Sequence, residues 1–190
     1  MFAAIDKRRF GDTPFFGSNI FVSFITTISY VVMALALGTA VAENGQPIYW
    51  TRWLFYIASC SILTLEIAFI AQKPAFQKVE IALFTGMTMF CGFLASIIVT
   101  FDRWWFFGLS TASYISMLYI LFKRSSNDEI KLTAMMWFVL VAWSLFPLVW
   151  IIAPTGLGVI TTSTEAVVYL ALDFITKIAF GLYISTQQRK

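Results

Sequence analysis

The sequence contains no histidine, only two cysteines and little charge. Without histidine, Ser-His-Asp and Cys-His catalytic groups, histidine-ligated metals and haem with an axial histidine are excluded. Two cysteines are too few for a Cys₄ zinc or iron–sulfur site, or for a disulfide framework. We therefore expect neither an enzyme nor a metal site.

Charged residues make up 12% of the 190 residues, whereas a soluble domain usually has about 25%. Hydrophobic residues account for 59% and aromatic residues for 18%, and the mean hydropathy is +0.81. This composition excludes an ordinary cytosolic enzyme. The net charge of +3 gives no reason to expect a nucleic-acid partner. The sequence predicts an all-α, polytopic membrane protein whose surroundings are the lipid bilayer.

Short polar or charged segments separate six apolar runs, and we treat residues 1–190 as one transmembrane domain. Each run is long enough to cross about 30 Å of hydrocarbon at about 1.5 Å per residue. Residues 1–14 are too polar and too short to form another span. The predicted spans are roughly 15–42, 51–72, 79–101, 103–123, 130–153 and 160–185.

Basic residues fall almost entirely on one side of this six-span arrangement. Only Arg103 lies on the other side, and Arg52 and Lys177 lie within spans. By the positive-inside rule, both termini are predicted to be cytoplasmic. The residues on the cytoplasmic side are Lys7, Arg8, Arg9, Lys73, Lys78, Lys123, Arg124, Lys131, Arg189 and Lys190.

Asp173 and Lys177 lie near the middle of the sixth span, on one helix face. A charge at that depth costs about 2.5–3.5 kcal/mol or more, so it is a functional candidate. The alternative is a neutralising ion pair with no further role. A desolvated lysine amine favours the neutral or covalently modified state, which Schiff-base formation with an aldehyde requires. Asp173 would then be the counter-ion.

The fifth span carries Trp143, Phe146 and Trp150 on one helical face, with Pro147 between them. Pro147 frees a backbone carbonyl and kinks the helix. An aromatic stripe alone is more often ordinary helix packing. Opposite a buried lysine that has its own carboxylate, the stripe instead favours a slot for a planar polyene.

Several segments resemble microbial rhodopsins. The run from Asp173 to Lys177, followed by Ile-Ala-Phe-Gly-Leu, resembles their retinal-attachment helix. The aromatic stripe with Pro147 resembles their retinal-clamping helix, with Phe146 where many members have tyrosine. Two further matches, to the start of their third helix and to their fifth, are Ile48-Tyr49-Trp50-Thr51-Arg52 and Ser110-Thr111-Ala112 with Leu118-Tyr119.

This resemblance implies all-trans retinal bound to Lys177 as a protonated Schiff base, with Asp173 as counter-ion and Arg52 just extracellular to it. It also implies a homo-oligomer, with a trimer favoured. The family has seven helices whereas six spans are visible here, so we expect the first helix to be missing. The predicted retinal pocket consists of Tyr56, Phe107, Trp143, Phe146, Pro147 and Trp150.

A stripe on the second span indicates the direction of transport. Arg52, Phe55, Ser59 and Glu66 share one helix face about 21 Å long. Outward-pumping relatives have an aspartate where Phe55 stands, and phenylalanine cannot accept a proton. Glu66 lies further toward the cytoplasm. Its alternative is a glutamate that extends to the cytoplasmic interface.

Phe55, Ser59 and Glu66, with Cys60 beside Ser59, resemble the Phe-Ser-Glu triad of schizorhodopsins, which are light-driven inward proton pumps. The related Antarctic rhodopsins share much of this pattern. The resemblance implies that protons pass from outside to the cytoplasm by way of Glu66, with Ser59 and Cys60 near the retinal. Cys60 is alternatively a packing residue. Glu165 lies either on the proton-uptake path or at the extracellular interface.

Two other functions use the same scaffold. A sensory photoreceptor would bind retinal without net transport, and the absence of an extra signalling domain makes it the second choice. A light-gated channel is disfavoured because the sequence offers one narrow acidic route rather than a string of polar residues.

Overall fold

The computed structural model describes residues 16–42, 44–123 and 130–187. The basic residues predicted at positions 7–9, 124 and 189–190 lie outside this part of the chain. The whole polar segment 1–14 also lies outside it, and with it the expectation of a missing first helix. The helices are α1 (Phe16–Ala34), α2 (Thr51–Ile70), α3 (Ala75–Ile97), α4 (Arg103–Phe122), α5 (Ile130–Ile152), α6 (Thr162–Asp173) and α7 (Phe180–Gln187).

Six helical segments of the described chain are long and apolar enough to cross a membrane. The last of them, Thr162–Tyr183, combines α6, a π-helical turn (Phe174–Ala179) and the first half of α7. The predicted all-α membrane bundle is therefore confirmed. Most observed helices begin and end close to the predicted spans, but two differ.

The first span was predicted to continue to residue 42, and this boundary is wrong because α1 ends at Ala34. Ala36 and Gly38 adopt left-handed backbone conformations, with φ of 53° and 63°, which a helix cannot continue through. A β-carbon on Gly38 would lie 2.0 Å from Cγ2 of Thr51, so only glycine fits at this approach. Apolar composition alone could not locate this break.

A small β-hairpin follows α1. Strand β1 (Thr39–Val41) pairs antiparallel with β2 (Pro47–Tyr49), and Ala40 stands opposite Ile48. The hairpin is tied to the start of α6, since the Thr162 backbone N–H donates to Oε1 of Gln46 at 3.1 Å. The Thr162 hydroxyl donates to the Pro47 carbonyl at 2.8 Å. The hairpin thereby packs against the end of the bundle at which α2 and α6 begin.

Helix α3 begins at Ala75 and ends at Ile97, about one turn earlier at each end than the predicted 79–101. Pro74 precedes it in an extended conformation, which fits a helix start. Next to it, the buried Lys73 donates from Nζ to the backbone carbonyl of Lys123, at the end of α4. The α2–α3 turn and the end of α4 therefore lie at the same end of the bundle.

Candidate functional site

Lys177 and Asp173 form a buried ion pair in the middle of the sixth span. Nζ of Lys177 lies 2.7 Å from Oδ1 of Asp173, and both side chains are 2% exposed. Lys177 lies within the π-helical turn, which interrupts an otherwise α-helical span immediately after Asp173. Single π-helical turns are frequent at functional sites. The structure thus brings together the two residues that the sequence paired, although on a helix wider than expected.

Two tyrosine hydroxyls hold the second carboxylate oxygen of Asp173. The hydroxyl of Tyr30 on α1 donates to Oδ2 at 2.7 Å, and the hydroxyl of Tyr56 on α2 donates to the same atom. Nζ of Lys177 also lies 3.4 Å from the centroid of the Tyr56 ring, a cation–π contact. The anion is therefore fixed by residues from three spans.

Tyr30 is a site residue that the sequence reasoning missed. A signal was available, because a tyrosine in the middle of an apolar span needs a partner for its hydroxyl. That signal does not identify the partner, which lies 143 residues away along the chain.

An apolar cavity adjoins Lys177, and all six predicted pocket residues line it. Cys60 lines it as well, whereas Phe55 and Ser59 are not among its lining residues. Several lining residues on α2, α3, α4 and the π-helical turn were not predicted as pocket residues: Trp53, Thr88, Met89, Gly92, Ser110, Thr111, Tyr114 and Thr176.

Ring contacts fix the shape of this cavity. Phe107 stacks on Trp150, with ring centroids 4.5 Å apart and an interplanar angle of 14°. Nε1 of Trp150 donates to the hydroxyl of Ser96 at 3.2 Å. Tyr56 and Phe146 meet edge to face at 6.0 Å. The walls are flat, aromatic and held in position from several helices.

These residues fit retinal. The cavity presents an almost wholly apolar aromatic lining and one amine, Nζ of Lys177, at its wall. The carboxylate of Asp173 stands beside that amine. An elongated apolar aldehyde needs this combination: a slot for its chain, a nucleophile for its carbonyl and an anion for the charge on the product.

A second buried ion pair lies toward the start of α2 and α6. Nη1 of Arg52 donates to Oε1 of Glu165 at 2.9 Å, with side-chain exposures of 0% and 3%. The guanidinium carbon of Arg52 also lies 4.2 Å from the Tyr169 ring centroid. Glu165 is therefore an interior residue rather than an exposed glutamate at the interface. Its contact with Arg52 was not predicted.

Glu66 lies toward the opposite end of α2 and is also buried, with 3% exposure. Neither carboxylate oxygen has a hydrogen bond of normal geometry within the described chain, and the side chain of Ser18 on α1 lies alongside. Glu66 does not extend to the surface. Nearer the centre of the helix, the hydroxyl of Ser59 donates to the Phe55 carbonyl at 3.2 Å.

Comparisons with known proteins agree with this arrangement. Residues 2–189 match the family model described as bacteriorhodopsin-like protein. The crystal structure of schizorhodopsin 4 superposes with a TM-score of 0.84 and 42% identity, covering 89% of this chain and 83% of that one.

Two curated relatives are more distant in sequence. Sensory rhodopsin-2 of Natronomonas pharaonis is 22% identical over 90% of this chain and 74% of its own length. Bacteriorhodopsin of Halobacterium salinarum is 25% identical over 90% of this chain and 70% of its own length. The chain therefore belongs to the bacteriorhodopsin-like family of microbial rhodopsins, multi-pass membrane proteins that use a retinal chromophore for light-driven pumping or light sensing.

Proposed function

We propose that this protein is a light-driven inward proton pump that carries retinal on Lys177. The observation that carries the direction is the arrangement of α2, which has phenylalanine at position 55 and a buried glutamate at position 66. The 42% identity to schizorhodopsin 4 supports it, because the Phe-Ser-Glu triad resembles that of inward pumps.

Lys177 would hold retinal through Nζ, and the bound chromophore would supply light absorption and a light-driven change of shape next to Asp173. Before that change, Asp173 stabilises positive charge at Nζ from 2.7 Å. The hydroxyls of Tyr30 and Tyr56 spread the negative charge of Asp173 and keep the carboxylate in place. These contacts hold the proton at Nζ in the dark.

The outward direction offers no free acceptor along α2. The side chain of Phe55 cannot take up a proton. Beyond it stands Arg52, whose positive charge repels an additional proton and whose partner Glu165 is already engaged at 2.9 Å. A proton that leaves Nζ toward this end would meet a cation first.

In the inward direction, the proposed path ends at Glu66, beside which the described residues place no cation. Glu66 lies seven positions beyond Ser59, which corresponds to about 10 Å along the helix. It is buried and has no charged partner in the described chain, so a proton arriving there neutralises a costly isolated charge. Release to the cytoplasm then proceeds from Glu66, and the proton is replaced from outside, with Glu165 as a candidate residue of the uptake path.

This assignment includes an orientation and an assembly. Both termini lie in the cytoplasm, and the basic turns at Lys73 and Lys123 lie on that side. The protein forms a homo-oligomer in the bilayer, with a trimer as the expected state.

The experiment that tests the direction is the sign of the light-induced pH change. Illuminated cells that contain the protein and retinal should alkalinise an unbuffered medium, and a protonophore should abolish the signal. Acidification would overturn the inward assignment and show that Phe55 does not block outward release.

A sensory photoreceptor is the second candidate, favoured by the similarity to sensory rhodopsin-2 over 90% of the chain. It predicts a visible pigment with a slow photocycle and no sustained pH change in the same cells. The cell-suspension measurement therefore separates the two candidates.

A further inference from the structure

A cleft separates α1 from the sixth span, on the side of Lys177 at which α1 begins. Its lining includes Asn19 and Ser23 on α1, and Lys177 and Gly181 on the sixth span. In the orientation proposed above, this is the cytoplasmic side. The cleft therefore runs from the reactive amine along α1, in the half of the protein that also contains Glu66, although Glu66 does not line it.

Asn19 contributes an unusual group to this cleft. Both polar atoms of its amide are buried and have no hydrogen-bond partner within the described residues. A side-chain amide offers two donor hydrogens and an acceptor oxygen. Buried polar groups that protein atoms leave unpaired are commonly satisfied by ordered water.

Glu66 has the same property at the far end of the route. Both of its carboxylate oxygens are buried and lack a hydrogen bond of normal geometry within the described chain, with the side chain of Ser18 alongside, and the residue is 97% buried. Two side chains, an amide on α1 and a carboxylate on α2, thus present buried polar atoms whose hydrogen-bonding capacity the described residues do not fill, on the same side of Lys177.

Consecutive residues of α1 connect these groups. Oδ1 of Asn19 lies 2.7 Å from the position that a β-carbon on Gly181 would occupy, so Asn19 packs directly on the sixth span. Gly181 is one helical turn from Lys177. The preceding residue, Ser18, lies alongside Glu66. Residues 18 and 19 therefore bridge the sixth span and α2.

We propose that Asn19 is a positioning residue for inward proton release, and that its amide holds water between Lys177 and Glu66. This inference rests on the proposed inward pump. One proton leaves Nζ for the water bound at Asn19, further waters each pass one proton on, and the carboxylate of Glu66 receives the last, so every water is regenerated. The release route follows α1 rather than the Phe55 and Ser59 face of α2.

The first test replaces the amide by an apolar group of similar size, Asn19→Leu. We expect the rate of light-induced alkalinisation to fall roughly tenfold, since a positioned proton relay contributes at least that much. Infrared difference spectra recorded in H₂¹⁶O and H₂¹⁸O should lose a water O–H band. Asn19→Asp, which keeps the shape and can bind water, should restore the band and much of the rate.

A matched control lies on the same helix. Thr27 is exposed on α1, and its hydroxyl donates only to the Ser23 backbone carbonyl. Thr27→Val removes polarity from α1 at a side chain that does not line the cleft, and should change neither the rate nor the water band.

A second variant displaces the amide without removing it. In Gly181→Ala, the new β-carbon would lie 2.7 Å from Oδ1 of Asn19 and push that side chain aside. We expect the same loss of the water band and a smaller fall in rate. If Asn19→Leu does not fold, this variant decides the question.

The possible outcomes separate the two proposals. Alkalinisation by the unmodified protein, with an unchanged rate and unchanged water bands in Asn19→Leu or Gly181→Ala, would overturn the role of Asn19 and leave the inward pump standing. Acidification by the unmodified protein would instead overturn the pump assignment itself.

Discussion

The two ends of the buried interior each contain one glutamate, and the two differ in their partners. Glu165 and Glu66 are equally buried, each with 3% exposure. Glu165 lies 2.9 Å from the guanidinium of Arg52, whereas Glu66 has no charged partner in the described chain. The residue type and burial are the same, so the partner makes the difference.

This difference in partners is the basis of the proposed direction of transport. A carboxylate beside a guanidinium is stabilised in its charged form and tends to keep that form. A buried carboxylate without a cation changes its protonation at lower cost, because the neutral form needs no compensation. Lys177 and Asp173 stand between these two environments, and the proposed transport follows from that asymmetry.

The largest expected effect comes from removing the Lys177 amine, which lies between the two glutamates. Lys177→Ala should abolish visible absorbance when retinal is added, because no other lysine lies in the middle of a described span. Absorbance spectroscopy of the purified protein with added retinal measures this directly. Lys78→Ala is the control, since Lys78 lies near the start of α3 over the Phe69 ring, and it should keep the pigment. A pigment with an intact imine in Lys177→Ala would remove the rhodopsin assignment for this site.

Removing the anion of the central pair is expected to have the next largest effect. Asp173→Asn leaves the positive charge at Nζ without the carboxylate that now lies 2.7 Å away. Much of the pigment should then absorb in the near ultraviolet at neutral pH, and acidification should restore the visible band. An unshifted visible spectrum would show that another counter-ion, chloride or Glu165, serves instead.

The sequence alone predicts the central ion pair better than it predicts the residues that surround that pair. Asp173 and Lys177 stand out because charge is rare within apolar runs and four residues make one helical turn. The same periodicity places Trp143, Phe146 and Trp150 on one wall. These signals are local, so they can be read from a single segment.

The features of the site that the sequence did not predict depend mainly on contacts between segments that are distant along the chain. Tyr30 meets Asp173 across 143 residues, and Arg52 meets Glu165 across 113. Nothing within one segment specifies such a pair. The π-helical turn at Lys177 was also missed, because ordinary helix periodicity does not reveal a locally widened helix. The early end of α1 was missed because residues 35–42 are as apolar as the helix before them.

Glu66→Gln tests the glutamate that has no charged partner in the described chain. Transport should fall about tenfold or more, since glutamine cannot take up a proton in place of the carboxylate. Retinal binding and thermal stability should barely change, because Glu66 forms no ion pair with any residue that the structure describes. Light-induced alkalinisation is measured beside the dark absorbance of the same cells. Unchanged alkalinisation would keep the direction and exclude Glu66 from the proton path.

Glu165→Gln tests the glutamate that is paired with Arg52. Unlike Glu66→Gln, it should lower the thermal stability of the protein. The substitution leaves Arg52 buried without its anion, and breaking a buried pair typically costs about 3–5 kcal/mol. The visible band should therefore bleach at a lower temperature than in Glu66→Gln. The double variant Arg52→Gln/Glu165→Gln removes both charges and should recover part of that loss. Equal bleaching temperatures for the two single variants would contradict the difference drawn between the two glutamates.

The smallest expected effect comes from Tyr30→Phe, which removes one of the two hydroxyls on Asp173 and keeps the ring. A hydrogen bond to a charged group contributes about 1.5–3 kcal/mol, but Tyr56 still donates to the same oxygen and Lys177 still faces the other. The pigment should form with a modest spectral shift, far smaller than that of Asp173→Asn, and the sign of the pH change should persist. Thr27→Val, on the exposed side of the same helix, should produce no shift. A near-ultraviolet pigment in Tyr30→Phe would mean that Tyr30, rather than the pair with Lys177, holds Asp173 in place. The centre would then depend on α1 as strongly as on the sixth span.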